Sequence, residues 1–220
     1  VGPSVSSIYG KPPQMGEALF IAISQSGKSP DLLALAEAAR EDGALTVAIV
    51  NDTASPLAEL CDVVLPLHAG PERSVAATKS YIASLAALLQ LAGAWSGDTA
   101  LAAAVRRLPD DLNDALGRDW RSALSVLTPS QSLYVVGRGP GYAAAQEAAL
   151  KMKEACGMHA EALSAAELKH GPLALAGPDF PVVLLSQRDA ALDGLARVGN
   201  DLTARGVPVV AAGPADIAGA

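Results

Sequence analysis

Cysteine, histidine and aromatic side chains are all scarce in this chain. Its 220 residues include two cysteines, three histidines and only 4% aromatics. Cys61 and Cys156 lie far apart, with no CxxC pair or Cys/His cluster, which excludes a disulfide framework and a cysteine-based zinc site. A reducing cytoplasm is therefore the expected compartment. Long apolar runs are missing too. The longest, Ile82 to Trp95, is broken by Gln90 and falls short of the roughly 20 residues that span a bilayer. No signal peptide is recognised before it. Positive charge is also in short supply: 16 Lys and Arg against 23 Asp and Glu give a net charge of −7 and a pI near 4.9. That balance argues against a nucleic-acid or anionic-membrane surface and leaves open a local site for a small anion.

Apolar residues, by contrast, make up half of the chain, enough for a sizeable core in one large or two small domains. The stretch Leu19 to Asp31 organises the rest. Five apolar residues, Leu19 to Ile23, are β-branched enough and short enough for a strand buried on both faces. Ser24-Gln25-Ser26-Gly27-Lys28-Ser29 follows, with Ser29 placed to cap a helix, Pro30 at its first position and Asp31 in its first turn. Hydroxyls, a glycine and free amides at a helix N-terminus suit a phosphate or a similar anion, and equally suit an ordinary capped strand-to-helix turn.

Taken in order, the pattern predicts a helix ending at Gly43, a strand Leu45 to Val50, a short helix capped by Ser55, and a strand Val63 to Leu67. A long Ala/Leu-rich helix from about Val75 to Trp95 is apolar nearly all round and is expected to be mostly buried. Thr99 to about Leu127 reads as helical with a break at Pro109. A strand at Leu133 to Val136 then feeds a Gly-rich turn and a helix ending at Gly157. His159 to Gly171 reads as irregular or helical, followed by a strand Val182 to Leu185, a helix Ala190 to Ala204 and a strand Val207 to Ala212. GxGxG at 137–141 lacks the acidic partner of a dinucleotide fingerprint. Alternation of this kind predicts an α/β fold with parallel sheets flanked by helices.

An internal repeat is visible. Ser24 aligns with Ser186, Asp31 with Asp193 and Gly43 with Gly206, and the strand Leu45 to Val50 meets Val207 to Ala212 after one inserted residue. Two copies of one α/β unit are expected: residues 1–97, a helical connection 98–117, and residues 118–220. The second copy carries an extra strand and helix, Leu133 to Gly157, and both ends look truncated relative to complete units. A start at Val1 without methionine agrees with missing upstream sequence.

Titratable groups gather in the second half. Glu147, Lys151 and Glu154 share one side of a helix, which suits either a solvated ion-pair ladder or a reactive cluster. His159, Glu161, Glu167, Lys169 and His170 follow at once. A carboxylate, an amine and an imidazole together suit proton transfer beside a carbonyl. His170 sits in a polar turn, whereas His68 and His159 read as structural.

SQSG at 24–27, SVAATK at 74–79, LKMKE at 150–154, and HAE at 159–161 with ELKHGP at 167–172 together resemble the double sugar isomerase (SIS) domain family. Within it, the resemblance runs to the isomerase half of glucosamine-6-phosphate synthase and to stand-alone glucosamine-6-phosphate deaminases. It implies two tandem SIS domains, each a three-layer, Rossmann-like αβα unit. It also implies a phosphate loop of Ser24, Gln25, Ser26 and Ser29, with Val75 on the segment lining the sugar. Glu154 matches the base that moves a proton between C1 and C2, Lys151 its neighbour in the site, and His170 a ring-opening group donated by the partner of a homodimer. Neither a metal nor an organic cofactor is implied. The implied reaction is deamination of glucosamine 6-phosphate to fructose 6-phosphate and ammonia. The alternatives are the isomerase half of an aminating synthase and a non-catalytic sugar-phosphate sensor. Lys28 and Ser29 depart from the synthase's Glu-Thr, and Ala77 from its serine. The family's first phosphate-binding turn and its C-terminal lysine find no match.

Overall fold

Where apolar runs of four to six residues alternate with longer amphipathic ones, the chain folds into parallel sheets joined by helical crossovers. The computed structural model describes residues 3–217. The chain divides into two compact units between Gly117 and Arg118.

The first unit begins with a single turn, α1 (Ser4–Ser7), and continues β1 (Leu19–Ser24), α2 (Pro30–Glu41), β2 (Leu45–Val50), α3 (Pro56–Leu60), β3 (Val63–Pro66), α4 (Thr78–Ser96) and α5 (Thr99–Leu116). Its strands pair in parallel in the order β1-β2-β3. Period-two alternation sends Ala22, Ala48 and Val50 to one face, where they meet Ala36 of α2 and Leu57 and Ala58 of α3. Val47 and Ile49 face the other way, against Leu67 and the α4 residues Ala83, Ala87 and Leu88. Helices thus cover both faces.

The second unit holds α6 (Arg121–Leu127), β4 (Ser132–Gly137), α7 (Pro140–Cys156), β5 (His159–Ser164), β6 (Val182–Leu185), α8 (Leu192–Ala204) and β7 (Val209–Ala212). All pairs are again parallel, in the order β5-β4-β6-β7. Leu133, Val135 and Val183 pack on Ala145 and Ala149 of α7. Tyr134, Val136, Val182 and Leu184 pack on Leu195, Val198 and Leu202 of α8. In register, Phe20 faces Thr46, and Val182, aligned with it in the expected repeat, faces Val209.

Several expectations change. His159 to Ser164 is a strand, because β4 offers a free edge that this alternating Ala/Leu segment completes. β1 borders its sheet instead of lying buried on both faces, so Leu19 and Ile23 are exposed. Helix α5 runs through Pro109 without a break, giving up one main-chain bond there. α4 begins at Thr78, and only Ser80 and Gly93 of it are buried; Ile82, Leu85 and Leu89 reach solvent. Among the described residues no helix is long and apolar enough to cross a membrane.

Candidate functional site

The loop Ser24–Ser29 lies at the carboxyl end of β1 and leads into α2. Gly27 adopts φ +62°, in the left-handed region that favours glycine, and a Cβ there would overlap the Ser55 side chain. Its amide donates to Ser24 Oγ at 2.9 Å. The β2–α3 turn supports the loop from below: the Asp52 amide donates to the Gln25 carbonyl (3.3 Å) and the Leu57 amide to the Gly27 carbonyl (3.1 Å). Ser55, fully buried, caps α3 by accepting from the Ala58 amide. Ser29 stands at the capping position of α2, yet its side chain makes no cap bond. Its hydroxyl is therefore not engaged as an internal cap, which leaves the N-terminus of α2 open to an anion.

Val75 belongs to the segment between β3 and α4 and is 89% exposed. Asn51 anchors the start of that segment, donating to the Gly70 carbonyl (2.7 Å) and accepting from the Ala69 amide (2.9 Å). At its far end the Glu72 carboxylate accepts from the Ser80 amide in the first turn of α4, which holds that carboxyl below its usual range.

In the second unit, α7 carries an acid-base cluster. Lys151 Nζ lies 2.6 Å from Glu154 Oε2 and 3.3 Å from Glu147 Oε1. The three side chains are only 19 to 27% exposed, because the buried Ala145 and Ala149 bring α7 down onto the sheet. The hydrogen bond to Glu154 raises the Lys151 pKa, and Glu147 adds to it against the cost of burial. The lysine ammonium thus sits between two carboxylates on one helix face.

His170 follows a single 3-10 turn, Glu167–Lys169, and precedes a second, Pro172–Ala174. Leu168 plugs the hydrophobic core beside Leu195 and Leu202 at 1% exposure, and Lys169 Nζ meets Asp201 Oδ2 at 3.2 Å. The His170 amide donates to the Glu167 carbonyl at 2.8 Å, and Gly171 at φ +129° turns the chain away. The imidazole is left at the surface. Among the described residues no hydrogen bond or ion pair joins it to Lys151 or Glu154.

The structure thus brings Ser24, Gln25, Ser26 and Ser29 into one loop of the first unit, and Lys151 and Glu154 into contact in the second. Two participants were not among the expected site residues. Glu147 was legible from its four-residue spacing to Lys151. Asp52, which pairs with Lys28 at 3.1 Å, carried no local signal, since a tertiary approach creates the contact.

Comparison with known proteins identifies the family. The SIS domain model matches residues 12–94 and 126–212. The glutamine–fructose-6-phosphate aminotransferase (isomerizing) of Symbiobacterium thermophilum is 37% identical over 90% of this chain, which spans 37% of that relative's length. A candidate phosphosugar isomerase from Silicibacter pomeroyi DSS-3 superposes with a TM-score of 0.91 at 44% identity, covering 96% of this chain and 64% of that one. The C-terminal domain of glucosamine-fructose-6-phosphate aminotransferase from Francisella tularensis gives a TM-score of 0.81 at 31% identity, covering 89% and 59%. With most of its length matched by the family model and its parallel sheets superposing on these structures, the chain belongs to the SIS domain family.

Proposed function

We propose that this protein converts an amino-sugar phosphate between aldose and ketose forms, releasing ammonia from glucosamine 6-phosphate to give fructose 6-phosphate. The contact between Lys151 and Glu154 carries this reading: it sets a carboxylate beside an ammonium on one helix face. Glu154 removes the C2 proton of the opened sugar and returns it at C1, while Lys151 offsets the charge that builds on the carboxylate and substrate. Water then replaces the amine, and ammonia leaves. The Ser24–Ser29 loop grips the phosphate, with Val75 beside the sugar. His170, brought from a partner subunit in a homodimer, opens the ring.

In this reading the two segments matched by the family model are two copies of the SIS unit, and the protein works in the cytoplasm. No metal or organic cofactor takes part, since a carboxylate and an imidazole suffice for enolisation. A second reading is the isomerase part of an aminating synthase. The identity to much longer aminotransferases favours it, because this chain spans about a third of their length. The third reading is a sensor that binds the same ligand without turnover.

The test is to incubate the full-length protein with glucosamine 6-phosphate and to assay ammonia and fructose 6-phosphate. Stoichiometric release of both supports deamination. Turnover of fructose 6-phosphate only in the presence of glutamine favours the synthase, and binding without turnover favours the sensor.

A further inference from the structure

The loop read above as the phosphate site carries a cation of its own. Lys28 Nζ rests 3.1 Å from Asp52 Oδ2, with the two side chains 63% and 38% exposed. A pair this open to water contributes little to stability. It is not needed to place the loop either, since main-chain bonds from the Asp52 amide to Gln25 and from the Leu57 amide to Gly27 already tie the loop to the β2–α3 turn. Asp52 also accepts from the Ala54 amide at 3.1 Å, which orients its carboxylate. The result is a carboxylate oriented by a main-chain amide, paired with a long, rotatable ammonium whose residue directly precedes Ser29, the α2 N-cap residue that makes no cap bond.

We infer that Lys28 is a phosphate ligand held in reserve by Asp52, exchanging its carboxylate partner for the phosphate monoester when substrate enters. The inference rests on the loop being the phosphate site. A phosphate dianion attracts the ammonium about twice as strongly as a carboxylate does at equal distance, and the N-terminal amides of α2 already favour it there. Once Lys28 swings over, Asp52 remains nearby as an unneutralised negative charge. The two residues therefore act on affinity with opposite signs. Asp52 holds the lysine close in the empty loop, and it competes for the lysine and repels the ligand in the filled one.

Calorimetric titration of the full-length protein with glucosamine 6-phosphate and with inorganic phosphate tests this, using wild type, Lys28→Met and Asp52→Asn. Lys28→Met should weaken both ligands by about tenfold, raise KM by the same factor with little change in kcat, and flatten the salt dependence of binding. Asp52→Asn retains an oxygen for the Ala54 amide and should tighten both ligands by roughly two- to fivefold. A brace with no role in binding would make both variants weaken the ligand alike. That result, or an unchanged affinity in Lys28→Met, overturns the assignment. If wild type binds neither ligand, the phosphate-loop reading itself fails, which is a different result from the loss of Lys28's part alone.

Discussion

The Lys151 ammonium lies 2.6 Å from the Glu154 carboxylate, three residues further along α7, and the same ammonium reaches back four residues to Glu147. A helix brings positions three and four apart onto one side, so these contacts need no help from the rest of the fold. Their partial burial does need it. The small, buried Ala145 and Ala149 seat the helix against Leu133 and Val135 of β4, which leaves the cluster only partly hydrated.

Replacing Glu154 with Gln keeps the shape and removes the proposed base. Turnover of glucosamine 6-phosphate is expected to fall about 10²–10⁴-fold, with the ligand still bound. Steady-state rates and calorimetric affinities on one preparation check both halves. Wild-type turnover in this variant would remove Glu154 from the chemistry.

Alkaline pH gives a second test. The Lys151 pKa is raised by Glu154 first and Glu147 second. Its contribution to stability is complete below the ordinary lysine range and is lost as pH rises through the raised value. Glu154→Gln brings the Lys151 pKa back towards its ordinary value, so its titration should move to lower pH. Side-chain ¹⁵N or ¹³C NMR of the lysine reads this directly.

Gly27→Ala should be costly for its size. A Cβ at φ +62° adds left-handed strain, and it overlaps Ser55, which is fully buried and occupied as the cap of α3. A loss of about 2–4 kcal/mol is expected from strain and overpacking together, along with weakened phosphate binding. Urea denaturation monitors the first, and phosphate titration of the folded fraction the second.

Thr46 and Asp62 form a reciprocal pair. The fully buried Thr46 hydroxyl donates to Asp62 Oδ2 (2.8 Å) and accepts from the Asp62 amide (3.0 Å), while the Thr46 amide donates to the same carboxylate (2.9 Å). These bonds, the Thr46 amide first, hold the Asp62 carboxyl below the usual range. Its contribution is present above the unfolded carboxylate value and is lost as pH falls through the lowered one. Thr46→Val should lower stability near neutrality, by removing the hydroxyl that bridges the Asp62 amide and carboxylate, and should move the acid transition to higher pH. Denaturant midpoints across an acidic pH series check both.

Much of the local architecture was legible before folding was considered. Ser55-Pro56 marked α3, Ser29-Pro30 marked α2, and uninterrupted apolar runs marked β2, β4 and β6, because caps, proline and hydrophobic period act within a few residues of one another. β5 was missed because His159-Ala160-Glu161-Ala162-Leu163-Ser164 has little strand preference of its own and becomes a strand only against the free edge of β4.

What the sequence by itself determined was the chemistry available at short range: the hydroxyl-rich loop at the start of α2 and the Glu-Lys-Glu face of α7. Tertiary structure alone decided that β1 lies at a sheet edge, that one side of α4 reaches water, and that Lys28 meets Asp52 and Thr46 meets Asp62. Local order follows from torsional preference and the spacing of neighbours along the chain. Choice of partner follows from which distant segments the sheet registers bring side by side, and no short window of sequence contains both members of such a pair.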